Sequence, residues 1–254
     1  MRLHVHRWGQ GPRVVLVHGA VLGGREAWRA QRPLIERWTL LAPDRPGHGQ
    51  SPPARQDFEP EAALIADQLL DEPSHLVGLS YGAIVSMYAA ALRPENVLSL
   101  TVVEPPSTGV ARGVPAVDEY AAAVRALVES DVDPVEGLRR FFPLAGVPVE
   151  VPDEPHETLL KGMRQLLGAR SPDEAEPPLH ALRDAAFPVL VVSGGHSEVQ
   201  EIICDTIARE TGAARAVCRG RDHLVPEAPG FNEVLDRFLD RKPDGRLKTE
   251  TCSS

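Results

Sequence analysis

The segment that most constrains this chain is Gly78-Leu79-Ser80-Tyr81-Gly82. A short apolar run, His75-Leu76-Val77, leads into it, and a helical run from Ala83 to Ala91 leads out. A strand that becomes a helix within so few residues leaves no room for side chains at the flanking positions. Glycine at both ends meets that demand. The central serine then sits in strained backbone geometry and projects its hydroxyl above the strand end. There it meets the start of a helix whose dipole favours developing negative charge. A small-residue turn chosen only for packing would satisfy the same sterics, so the rest of the chain must decide between the two readings.

That rest alternates. Residues 3–8 read as an edge strand, Arg13 to Val17 as a buried strand, residues 25–37 as helix made irregular by Pro33, and Trp38 to Ala42 as another buried strand. A glycine-rich turn, Asp44 to Ser51, precedes a helix at 59–71. The strand at 75–79, the helix to about 92 and a strand from Val97 to Val103 follow. Strands alternating with helices predict an α/β chain with a mostly parallel central sheet and helices on both faces. Between Pro105 and Ala186 the pattern turns helical and proline-rich, with stretches at 118–129, 134–142, 156–168 and 178–184 and no convincing strand. It returns with a strand at 187–192, a helix at 198–211, a strand at 214–218 and a last amphipathic helix over 229–241. The expected organisation is a core of residues 1–104 and 187–241, a helical insertion at 105–186, and a polar, disordered tail at 242–254.

Charge and composition narrow the function. The net charge of −9 argues against nucleic acid as a partner, and no apolar run approaches the length that spans a bilayer. Residues 1–20 carry no signal-peptide pattern. The three cysteines, Cys204, Cys218 and Cys252, lack metal-ligand spacing; the simplest reading is a reduced, cytoplasmic protein with Cys204 and Cys218 as small core residues. No cofactor motif is visible, and a monomer or homodimer is expected.

A serine hydroxyl needs a base, an acid to orient that base, and donors for the oxyanion. The base must follow the last strand if the acid and base succeed the serine along the chain. Of the nine histidines, only His223 lies between the last strand and the last helix.

Four motifs in order, Val14 to Gly19, Asp44 to Ser51, Gly78 to Gly82 and the late His223, make this chain resemble the α/β-hydrolase superfamily. The resemblance implies the α/β-hydrolase fold, with 105–186 as its inserted helical cap. It also implies oxyanion donors at the backbone N–H groups of Tyr81 and Ala20, with Val21 the alternative to Ala20. In the resembled pattern His18, Asp44 and His48 hold loops beside the site, and their spacing matches no metal signature. The acid departs from the family pattern. After the strand at 187–192 the chain reads Gly194-Gly195-His196-Ser197, and a serine stands where an aspartate is usual. Glu198 and Asp222 are alternatives, but Glu104 is the better candidate. It follows an apolar strand and precedes Pro105-Pro106, where a carboxylate is costly unless partnered. Haloalkane dehalogenases and zearalenone-lactonase-type enzymes also place their acid at this strand end. These features predict a serine hydrolase that cleaves a small, mainly apolar ester or lactone, with Ser80, His223 and Glu104 as its triad. Val21, Trp28, Phe141, Phe142, Leu144 and Val225 are expected to line the pocket. Carbon–carbon bond hydrolysis by the same triad and non-catalytic ligand binding on the same fold remain alternatives. Dehalogenase and epoxide hydrolase chemistry would need an aspartate at position 80.

Overall fold

A computed structural model describes residues 1–241 and 250–251. Eight strands form one sheet: β1 (Val5–Trp8), β2 (Arg13–Val17), β3 (Thr39–Pro43), β4 (Ser74–Leu79), β5 (Val97–Val103), β6 (Val189–Ser193), β7 (Ala214–Val217) and β8 (Glu250–Thr251). Their order is β1-β3-β2-β4-β5-β6-β7-β8; β1 pairs antiparallel with β3, and every other pairing is parallel. Both faces are covered, so the central strands are buried and mostly apolar, as parallel strands require. Val15 and Val17 join the core beneath α2 (Phe58–Leu69), α3 (Tyr81–Leu92) and α8 (Glu198–Thr211). Val14 and Leu16 face the opposite core, closed by α9 (Phe231–Leu239) and the 3-10 helix Arg29–Glu36. Pro33 lies inside that 3-10 helix, which follows the single turn α1 (Gly24–Ala27); the irregularity expected from the proline is a change of helix type.

Between β5 and β6 the chain is helical. It contains α4 (Pro115–Val128), α5 (Pro134–Ala145), α6 (Glu157–Leu166) and α7 (Leu179–Asp184). Prolines punctuate these helices at their first turns, where no N–H is lost from the ladder, as at Pro115 and Pro134. Asp133 caps α5 by accepting from the N–H groups of Val135 and Glu136.

Two expectations change. Glu250 and Thr251 add a short parallel strand to β7, within the stretch expected to be disordered; the remainder of 242–254 lies outside the described residues. Cys204 is buried and free, but Cys218 is disulfide-bonded, which removes the cysteine argument for a reducing compartment. No helix among the described residues is long and apolar enough to cross a membrane.

Candidate active site

Register brings the site together. Leu79 pairs with Val103, and Val103 with Val192, so Ser80, Glu104 and Gly194 follow the C-terminal ends of three adjacent parallel strands. This is the edge where open α/β sheets gather ligands. Ser80 has φ 54° and ψ −124°, and its N–H donates to the Val103 carbonyl at 2.8 Å. The flanking glycines are sterically required. A Cβ on Gly78 would stand 2.5 Å from the Gly82 carbonyl oxygen, and one on Gly82 would stand 2.2 Å from that of His18.

Only three non-glycine residues among those described have positive φ: Ser80, Glu104 and Asp222. All three are at this edge. Such backbone costs of order 1–3 kcal/mol per residue and persists where the surroundings over-determine it. Glu104 is fully buried (0% exposed). Its Oε1 accepts the Gly194 N–H at 2.6 Å, and its Oε2 lies 3.2 Å from His223 Nδ1. That contact fixes the tautomer: Nδ1–H donates to the carboxylate, leaving Nε2 as the basic nitrogen. Ser80 and His223 are each 7% exposed, so the group is nearly closed to solvent.

The acid expected nearest the usual position stands elsewhere. Glu198 is exposed at the first turn of α8, and Ser197 caps that helix by accepting the Gln200 N–H at 3.4 Å. The residue in the usual acid position therefore serves the helix terminus.

The loop that opens with Gly19 packs against Ser80: a Cβ on Gly19 would lie 3.2 Å from Ser80 Cβ and 3.8 Å from its Oγ. Tyr81 is the first residue of α3, so its N–H belongs to the unsatisfied first turn. Ala20 is held from behind, its carbonyl accepting from His48 Nε2 at 2.8 Å. Arg45 donates to the Gly19 carbonyl at 2.7 Å, and its own N–H donates to His18 Nε2 at 2.8 Å. His18 Nδ1–H therefore points to the Gly19 carbonyl, 2.8 Å away. Burial, reinforced by Arg45, lowers the His18 pKa well below the ordinary value, and burial lowers that of His48 to about 4. Both are neutral hydrogen-bonding pieces of the loop scaffold. Asp44 does the same work for the next loop, accepting from the Gly24 and Gln50 N–H groups.

The helical segment reaches the site from two sides. A Cβ on Gly162 of α6 would fall 1.8 Å from the Val21 carbonyl oxygen, so α6 presses directly on the loop that carries Ala20 and Val21. At the end of α5, Gly146 (φ 72°) accepts the His223 N–H at 3.1 Å.

The apolar pocket candidates divide. Val21 and Phe142 belong to the core cluster beneath the helical segment, with Phe141 and Leu144 packed against it. Trp28 and Val225 are fully buried in the cluster on the other face.

Two neighbours of Glu104 have no sequence signature. His196 Nδ1 is buried without a hydrogen-bond partner, 3.9 Å from Glu104 Oε2. Tyr120 of α4 has its pKa pushed up to about 12 by burial, with the Glu104 charge adding to the effect. His196 reaches the carboxylate by tertiary packing.

Comparison with known proteins agrees with this fold. The model of the Alpha/beta hydrolase family matches residues 14–233. Pimeloyl-[acyl-carrier protein] methyl ester esterase of Methylococcus capsulatus is 32% identical over 248 residues, covering 90% of this chain and 91% of that protein. Lipase LipV of Mycobacterium tuberculosis is 38% identical over 109 residues, 41% of each chain. Among solved structures, an alpha/beta hydrolase from Sphaerobacter thermophilus superposes with a TM-score of 0.67 at 25% identity, covering 93% of this chain and 96% of the other.

Proposed function

The chain belongs to the alpha/beta hydrolase family, and from that premise we propose that it is a serine hydrolase cleaving a small carboxylic ester or lactone through an acyl-enzyme. The observation that carries this reading is Glu104: a fully buried carboxylate bound to Gly194 N–H and His223 Nδ1, one strand away from Ser80. A buried charge is retained only with such partners.

Ser80 Oγ attacks the substrate carbonyl carbon while His223 Nε2 takes its proton. The Ala20 and Tyr81 N–H groups hold the resulting oxyanion. Collapse expels the alcohol, which takes the proton back from His223. Water, deprotonated by His223, then attacks the acyl-enzyme and releases the acid. Glu104 holds the imidazole in the productive tautomer and stabilises the imidazolium without itself accepting the proton. The helical segment 105–186 acts as the cap, and Val21, Phe141, Phe142 and Leu144 supply an apolar acyl pocket. The pimeloyl-carrier-protein esterase and lipase relatives support ester cleavage over carbon–carbon bond cleavage.

The test is hydrolysis of p-nitrophenyl esters from acetate to octanoate. Ser80→Ala should lose roughly six orders of magnitude in kcat, and Glu104→Gln about four. Glu198→Gln should stay within about twofold of wild type, as expected of an exposed helix-start residue. Full activity in Ser80→Ala would end the proposal, and loss in Glu198→Gln alone would move the acid to the usual strand. If no ester is turned over, covalent labelling of Ser80 by a fluorophosphonate separates an unusual substrate from a binding role.

A further inference from the structure

Three strands along the sheet from β4, the edge strand brings two imidazoles and a carboxylate to one spot. His4 and His6 are two residues apart on extended chain, so their side chains leave the same face. Their ring centroids lie 4.6 Å apart, and His6 stacks on Trp8 with the ring planes 3° from parallel. His6 Nε2 is 3.2 Å from Asp44 Oδ2. One ligand atom from each of His4, His6 and Asp44 lies within 4.8 Å of the other two. A fourth group faces them: the Gln50 side-chain amide is 3.1 Å from His4 Nε2.

We propose that His4, His6 and Asp44 bind a divalent transition metal of the zinc class, with Gln50 or water completing the coordination. Two neutral imidazoles and one carboxylate suit zinc, which takes such nitrogen and oxygen donors in tetrahedral sites. Bond lengths near 2.1 Å place tetrahedral ligand atoms about 3.4 Å apart, close to the His6–Asp44 separation. The His4 ligand atom stands no more than 4.8 Å from the other two.

The donors are held in advance. Asp44 is 1% exposed, and backbone N–H groups grip both its oxygens, from Gly24 on Oδ1 and Gln50 on Oδ2. The His4 N–H donates to Ser51 Oγ at 2.9 Å, and its carbonyl accepts the Asp44 N–H at 2.9 Å. His6 is paired in register with Ala42. Preorganisation of this kind lowers the ordering cost of binding. The metal would take over the site of the His6–Asp44 hydrogen bond and tie the edge strand to the Asp44–Ser51 turn. That turn carries Arg45 and His48, which brace the carbonyls of Gly19 and Ala20. Its role is that of a clip, distinct from the ester chemistry. The set also differs from the His18, Asp44 and His48 grouping that sequence spacing rejected as metal ligands.

The experiment uses the full chain without a histidine tag, stripped by chelator and titrated with zinc by calorimetry, then with cobalt by visible absorption. Wild type should bind one equivalent, show the intense bands of low-symmetry cobalt, and melt higher with zinc. His4→Gln and His4→Gln/His6→Gln should lose the stoichiometric site and the melting shift while keeping ester hydrolysis, because neither residue touches the triad. Asp44→Asn is avoided because it would also disturb two backbone hydrogen bonds. Absence of stoichiometric binding in wild type, or an unchanged site in the double variant, would overturn the proposal.

Discussion

Backbone strain marks the site at residue scale. Ser80 needs its positive φ to aim its hydroxyl, and Glu104 needs it to leave β5 and meet His223. Asp222 is different: its strain serves the turn that delivers His223, and its own carboxylate has no assigned task. Asp222→Gly should therefore keep ester turnover within about twofold while relieving roughly 1 kcal/mol of left-handed strain. The melting temperature should rise by about 3 °C; collapse of kcat would instead make Asp222 part of the acid machinery. The contrast shows what can be read from residue types alone. Ser80 was legible because glycines frame it, and Glu104 because a carboxylate ending an apolar strand needs a partner. His196 was not, since nothing local to it predicts a contact with a residue on another element.

Elements are positioned by close approach. Gly162 lets α6 lie on the Val21 carbonyl, and Gly47 (φ 77°) leaves room for the Gln165 side chain of the same helix. Lys161, also on α6, donates to the Gly49 carbonyl at 2.8 Å. Gly162→Ala should push α6 off the oxyanion loop, because the obstructing atom is backbone and cannot rotate away. We expect a loss of about 2 kcal/mol or more in urea unfolding, with kcat falling more than KM rises as the Ala20 amide shifts. Unchanged stability would mean that α6 is free to slide. The helices of this segment were legible from their prolines and apolar spacing. Their docking was not: Gly162 reads in sequence as a helix-weakening residue, and its contact with Val21 exists only once residues far apart in the chain have met. The two-residue β8 was missed for a related reason, since its definition lies in pairing with β7 and not in its own composition.

For the whole molecule, buried neutral histidines couple stability to pH. Burial holds His48 and His75 to about 4 and lowers His18 well below the ordinary histidine value. In the unfolded chain such groups take up protons near pH 6.5, so between about pH 6.5 and 4 the unfolded state binds more protons. Their contribution is complete above pH 6.5 and is lost on acidification, on the order of 3 kcal/mol each for His48 and His75. Glu61 opposes them: burial raises its pKa despite the 2.6 Å pair with Arg45, so the folded chain gains a proton there first. Three histidines against one carboxylate predict a urea midpoint that falls steeply between about pH 6.5 and 4.5. A flat profile would mean that these rings are solvated in solution. The same helical segment that lies on Val21 also hydrogen-bonds the His223 backbone through Gly146. A transplanted insertion from a relative would therefore have to carry both footholds with it. On the proposed mechanism, replacing this segment re-aims the base and the oxyanion amides in the same stroke, so specificity would not exchange as an independent cassette.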